Sequence, residues 1–193
     1  RPINPYGESK VRVENYLQQF DPSKINYIIL RYFNVAGADP KMRSGLIKKN
    51  PTHLIKIASE AAIGKRSSVQ IFGNDYNTPD GTAIRDYIHV SDLADIHIKV
   101  LRFMLEKKQS EIFNCGYGKG YSVKDVLNVT NSLCKNRINI LNSSRRPGDA
   151  EMVVSDISKL KRMIDWTPKY NKLDFIIKTA IDWELKLQNE KIS

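Results

Sequence analysis

Apolar positions along this chain change period several times, and each change marks an element. Residues 5–19 carry them at helical spacing, with Asn4 suited to the N-cap and Pro5 to the first helical position. Asp21-Pro22-Ser23 breaks that pattern. Residues 25–33 (INYIILRYF) form a nearly continuous apolar, β-rich run, which predicts a strand buried on both faces as in a parallel sheet. A polar, basic, unpatterned stretch at 41–50 leads to a helix ending near Ile63, with Thr52 as its N-cap and Gly64 as its stop. Residues 69–72 alternate as a short strand, and 73–82 are dense in turn formers. An alternating segment, 83–90, runs into a helix over 92–107 capped by Ser91. Residues 111–115 predict a buried strand, Ser122 a helix cap, 138–141 another strand, and Ser155 the cap of a short helix to about Ile164. A final amphipathic helix covers about 173–187.

Strands alternating with helices predict an α/β fold with parallel pairing. Composition agrees: 41% hydrophobic and 27% charged residues belong to a globular chain. No apolar run approaches a membrane span, so no membrane partner is expected. The 193 residues start in mid-motif without an initiator Met, which suggests part of a longer chain. Cys115 and Cys134 form no CxxC pair, so neither a zinc site nor a disulfide framework is indicated. Reduced thiols in the cytoplasm are expected, with Cys134 in the core. The net charge of +10 brings nucleic acid to mind. The basic residues are scattered, however, with small knots such as Lys48-Lys49 and Arg145-Arg146, so the expectation is no nucleic acid. A basic cleft for a phosphorylated small substrate also suits the charge.

Candidate chemistry lies at the ends of these elements. Tyr6 and Lys10 are four apart, on one helix face one turn apart, where an ammonium favours a phenolate able to take a proton. The same spacing occurs by chance on many amphipathic faces. Asn34 stands just past a strand's carboxyl end, where ligands gather in open α/β sheets, or is simply a turn residue. His53 falls in the first turn of its helix as a ligand contact or a plain surface histidine. Arg85 leaves the turn-rich segment able to clamp a phosphate, or else pairs with Asp86 or Asp80. His89 reads as a satisfied core histidine. The glycine-rich 116–120 reads as a strand-to-helix turn, since it lacks the Gly-x-Gly-x-x-Gly spacing of a dinucleotide cradle. Arg145-Arg146-Pro147-Gly148-Asp149 suits a phosphate plus a sugar hydroxyl, or a charged surface turn.

Read together, PYGESK at 5–10, LRYFNVAGADP at 30–40, THLI at 52–55, IFGNDYNTPDGTAIRDYIHVSDLADIH at 71–97 and RRPGDAEMVVSD at 145–156 resemble the UDP-glucose 4-epimerases of the extended short-chain dehydrogenase/reductase family. The resemblance runs from Asn4 to about Asp182. The segment 73–90 is far more specific than Tyr-x-x-x-Lys. It implies the C-terminal part of a Rossmann-like fold: the last parallel strands and helices plus a small mixed α/β substrate domain. Residues 1–40 would hold the catalytic helix and strand, and 41–193 mainly the substrate domain, with segments near 83–115 returning to the Rossmann-like sheet. Tyr6 would be the base on the sugar 4-hydroxyl, and Lys10 would hold the nicotinamide ribose of NAD beside Tyr32 and Phe33. Asn34, His53, Leu54 and Phe72 would line the UDP-hexose site, with Phe72 near the uracil. Arg85 and Arg146 would bind the diphosphate, and Asp149 the ribose. His53 follows Thr52 where some members carry an Asn pair, and Val153 stands where some carry a tyrosine that narrows the hexose pocket, hinting at N-acetylated hexoses. The family's glycine-rich fingerprint is upstream of the Tyr-Lys motif, so this chain alone is expected neither to hold NAD tightly nor to epimerise UDP-galactose. A homodimer is expected for the complete form. Other readings are a different C4-acting nucleotide-sugar reductase and an inactive nucleotide-sugar-binding module.

Overall fold

The computed structural model describes Pro2 and residues 5–190; Asn4, the expected first cap, lies outside the described residues. Helix α1 (Pro5–Leu17) precedes β1 (Ile28–Tyr32), β2 (Asn34–Ala36), α2 (Leu54–Ala62), β3 (Val69–Phe72) and β4 (Ile84–His89). Then follow α3 (Val90–Lys107), β5 (Glu111–Cys115), β6 (Gly120–Ser122), α4 (Val123–Leu133), β7 (Ile140–Ser143), β8 (Met152–Val153), α5 (Ser158–Met163) and α6 (Leu173–Glu190). Strand β1 pairs in parallel with β5, from Ile28 opposite Glu111 to Tyr32 opposite Cys115. Strand β4 is the hub of a second sheet: β2 and β8 run parallel to it and β6 antiparallel. Strands β3 and β7 form a third, parallel pair.

The run 25–33 does not make one strand buried on both faces. It breaks at Phe33, whose N–H donates to the Cys115 carbonyl at 3.2 Å, after which the chain leaves β5 for β4. Arg31 and Tyr32 are exposed. The Arg31 guanidinium is drawn outward to Glu14 on α1, with Nε 2.8 Å from Oε1. An apolar run signals a strand but says nothing of where it changes partner.

Apolar side chains gather in three clusters. Ile88, Ile96, Phe113 and Leu160 pack α3 and α5 against β4 and β5. Tyr87, Val126, Ile176 and Ile177 join α4 and α6 beneath β4, and Val69, Ile71 and Leu127 seat β3 on α4. Cys115 is fully buried and burial pushes its thiol up to about 12. Cys134, expected in the core, is half-buried, because it falls one residue past the end of α4. No helix among the described residues is long and apolar enough to cross a membrane.

The caps correct the sequence reading in three places. His53, not Thr52, is the N-cap of α2. His89, not Ser91, caps α3: its Nδ1 accepts the Ser91 N–H at 3.1 Å. Ser155 caps nothing, since its hydroxyl and amide are taken by Asp86, and α5 starts at Ser158 behind Ile157. Ser122 behaves as expected, and with Asp125 it completes a capping box.

His89 is the satisfied core histidine that the sequence suggests. It is fully buried, its Nε2 is 3.2 Å from Thr179 Oγ1, and its ring lies 4.9 Å from that of Tyr170. Burial holds its pKa down to about 4, partly offset by the Asp92 and Asp39 carboxylates. The folded pKa lies below the unfolded value near 6.5, so the unfolded chain binds the proton first. Stability from this group is complete above about pH 6.5 and falls as the pH drops toward 4, by about 3 kcal/mol in all. Urea midpoints measured between pH 7 and 4 are expected to show that decline, and His89→Gln to flatten it.

Candidate functional site

Strand β4 carries the site. Arg85 and Tyr87 are two apart and share one face of the strand. Asn34 of β2 lies in register with Tyr87, and Val153 of β8 with Arg85. Asn34, Arg85 and Val153 are thus brought onto neighbouring rungs, though they are far apart in the chain.

Two turns close over the Arg85 end. Arg85 donates through Nη1 to its neighbour's carbonyl on Ile84 at 2.8 Å, and its Nη2 is paired with Asp149. The turn holding Asp149 is closed by its own N–H on Arg146 O at 3.2 Å, with Gly148 at φ +75°, a conformation glycine adopts without strain. Arg146 stacks on Phe72, its Cζ 3.7 Å from the ring centroid. Arg145 pins the 73–82 turn, with Nε on Asp75 Oδ1 at 2.8 Å and Cζ 4.2 Å from the Tyr76 centroid. Phe72, Arg85, Arg146, Asp149 and Val153 form one cluster: two guanidinium groups, a carboxylate, a flat aromatic face and a small apolar side chain. That set suits a nucleoside diphosphate.

Asn34, His53 and Leu54 line a cavity of about 390 Å³ that also takes in Tyr87, Leu46 and Trp183. His53 makes no side-chain cap bond, so its imidazole is not engaged by the helix it starts. Tyr87 is the buried floor, and desolvation raises its hydroxyl pKa well beyond the ordinary value. It cannot serve as a base at neutral pH.

Tyr6 and Lys10 lie one turn apart on α1, with the Lys10 ammonium 5.2 Å from the Tyr6 centroid. Tyr6 is exposed, and among the described residues its phenol bonds no group of the β4 cluster. Helix α1 is held to β1 by the Glu14–Arg31 pair. Tyr32 ends β1 with its hydroxyl 2.6 Å from His97 Nε2, and burial raises its pKa. Phe33 is half-buried at the strand switch.

Asp86 enters the sequence reading only as an alternative partner for Arg85, and its own role is missed there. As a partner for Arg85 it is excluded by strand alternation, which turns it to the opposite face, and Asp80 is occupied by Ser122 Oγ and Thr82. Fully buried, Asp86 accepts from Tyr117 N at 3.0 Å, Gly118 N at 2.9 Å, Ser155 N at 3.2 Å and Ser155 Oγ. It ties the 116–120 turn to the segment that follows β8. A Cβ at Gly116 would lie 2.5 Å from the Asp86 carboxylate, so only glycine fits. The alternating pattern of 83–90 was the available signal.

For a dinucleotide, the described residues fit one end. Tyr6 and Lys10 offer a hydroxyl and an ammonium on an exposed face, suited to a ribose. In the glycine-rich 116–120 turn, the amides of Tyr117 and Gly118 are turned onto Asp86 and are not offered to a diphosphate.

Residues 1–116 match the model of the NAD dependent epimerase/dehydratase family. A UDP-glucose 4-epimerase of Azospirillum brasilense is 44% identical over 188 residues, which are 97% of this chain and 54% of the relative. The crystal structure of a UDP-glucose-4-epimerase from Stenotrophomonas maltophila with bound NAD and formylated UDP-arabinopyranose superposes with a TM-score of 0.92 at 30% identity, over 97% of this chain and 56% of that one. The UDP-Glc/GlcNAc 4-epimerase of Campylobacter jejuni superposes with a TM-score of 0.76 at 42% identity, over 96% and 57%. The chain therefore spans about half the length of the relatives it matches.

Proposed function

Because the chain belongs to the NAD dependent epimerase/dehydratase family, we propose that it carries the UDP-hexose site and the proton-transfer pair of a UDP-glucose 4-epimerase. The observation that carries this reading is the β4 cluster, in which Arg85, Arg146, Asp149 and Phe72 converge from three separate segments. Arg85 and Arg146 would hold the diphosphate and Asp149 a ribose hydroxyl. Phe72 stacks one planar group, the Arg146 guanidinium, so a uracil taking that face would displace Arg146 and leave it free for the diphosphate. Asn34, His53 and Leu54 would bound the site from the cavity side.

Tyr6 would take the proton of the sugar 4-hydroxyl onto its phenolate oxygen and hand it back. Lys10 would stabilise that phenolate and hold a ribose hydroxyl of NAD, with Tyr32 and Phe33 beside the nicotinamide. The chemistry supplied by a bound NAD is acceptance of hydride from C4 and its return to the other face.

Val153 is small and sits opposite Arg85, which supports room for an N-acetyl group on the hexose. The name of the C. jejuni relative includes both hexose types. A nucleic-acid role is disfavoured because many of the basic side chains are already paired with carboxylates, among them Arg43, Lys56, Arg66, Arg85 and Arg145. Exposed Val13 and Tyr16 on α1 support a homodimer of the complete protein, and the unpaired cysteines suit the cytoplasm.

Calorimetric titrations with UDP, UDP-glucose, UDP-N-acetylglucosamine and an unrelated oligonucleotide test this. Saturable binding of UDP and both sugars, with none of the oligonucleotide, is expected. Binding of the oligonucleotide alone would sink the reading.

A further inference from the structure

A second group of charges lies buried where nothing in the proposed chemistry uses it. Lys56 of α2 is 7% exposed, and Glu60 and Glu184 are 5% and 1% exposed. The Lys56 ammonium meets the Glu184 carboxylate of α6 and lies 3.7 Å from Glu60. Lys65 reaches Glu184 at 3.4 Å, and Arg66 reaches Glu60 at 3.0 Å. Buried ion pairs contribute little net stability over apolar packing, because desolvation offsets their attraction. What this one adds is a directed donor. Lys56 Nζ also bonds the Leu46 carbonyl at 3.1 Å.

Leu46 belongs to the polar stretch 41–50, which has little apolar anchorage of its own. Helix α6 holds that stretch at two further points. Lys186 Nζ donates to the Met42 carbonyl at 2.7 Å and lies 5.5 Å from the Trp183 centroid. Gly45 rests on the Trp183 indole so closely that a Cβ there would come within 2.5 Å of the ring. Ser44, Gly45 and Leu46 line the same cavity as Asn34, His53 and Leu54.

We infer that α6 braces the nucleotide-sugar site: Lys56 with Glu184, and Trp183 with Lys186, hold residues 42–46 where they close the cavity beside Asn34 and His53. The inference rests on the proposal that this cavity belongs to a UDP-hexose site. The bracing residues act by positioning this stretch of cavity wall, although Lys56, Trp183 and Glu184 also border the cavity themselves. Their effect is on the fraction of molecules with the wall in place, and apparent affinity scales with that fraction.

The test uses Gly45→Ala, Lys186→Met and Lys186→Arg in the whole chain, which leave the buried charge cluster intact. Gly45→Ala pushes the wall off the indole, Lys186→Met removes one tie, and Lys186→Arg keeps a donor. Two quantities are read: the rate of tryptic cleavage within residues 41–49, and the UDP dissociation constant by calorimetry. Gly45→Ala and Lys186→Met are expected to speed cleavage and to weaken UDP about tenfold, as when the closed wall falls to a tenth of the population. Their thermal midpoints should stay near that of the parent, and Lys186→Arg should restore both readings. Unchanged cleavage and affinity in both variants would overturn the brace while leaving the nucleotide-sugar reading standing. No UDP binding by the parent chain would overturn that reading and the inference with it.

Discussion

Arg85→Ala is expected to weaken UDP binding by about 2 to 3 kcal/mol, roughly 30- to 150-fold, with little change in fold. The Arg85 side chain is mostly shielded from solvent and faces Asp149. A diphosphate entering the site would exchange one carboxylate for two phosphates on that guanidinium. Without Arg85 the loss is double: the clamp disappears, and the Asp149 charge is left to repel the ligand. Arg85→Lys should recover part of the affinity, because it restores the charge but not the planar fork. Calorimetry on the two variants checks this. A dissociation constant within about twofold of the parent for Arg85→Ala, far short of the expected 30-fold, would remove Arg85 from the site.

The second large effect concerns stability. Asp86→Ala is expected to lower the free energy of unfolding by about 4 kcal/mol or more, since an unsatisfied buried donor costs about 1 to 3 kcal/mol and Asp86 serves several. The donors left behind are the amides of Tyr117, Gly118 and Ser155 and the Ser155 hydroxyl. Asp86→Asn should be only partly milder, because its amide group turns a donor toward donors. Urea unfolding measures both. The same loss should loosen β8, so UDP affinity should fall in any Asp86 variant that still folds. A midpoint close to that of the parent for Asp86→Ala would mean that this buried carboxylate is not the tie between 116–120 and β8.

How far the sequence could be read depended on how local each determinant is. The Ser122 cap and the helix at Leu173 are written in a few consecutive residues, and they form as expected. The break at Phe33 is not, because it arises where the strand trades β5 for β4. His89 as a cap and Ser155 as a partner of Asp86 likewise follow from tertiary neighbours. Of the candidate residues, Arg85 pairs with Asp149 and Arg146 stacks on Phe72. Sequence could not say that Arg85 would face Asp149, 64 residues on, rather than Asp86 beside it, although strand alternation already argued against Asp86. The contact between Lys56 and Glu184, 128 residues apart, left no local trace at all. The Tyr6–Lys10 spacing correctly put both on one helix face and carried no information about what that face meets.

The β4 cluster and the cavity lined by Asn34, His53 and Leu54 are proposed to form one UDP site. The most direct test is a heteronuclear NMR titration of the 193-residue chain with UDP. Saturating shifts are expected at Phe72, Arg85, Arg146 and Asp149 together with Asn34, His53 and Leu54, all fitting one dissociation constant. Shifts confined to the scattered surface lysines, or two groups of residues titrating with different constants, would contradict it.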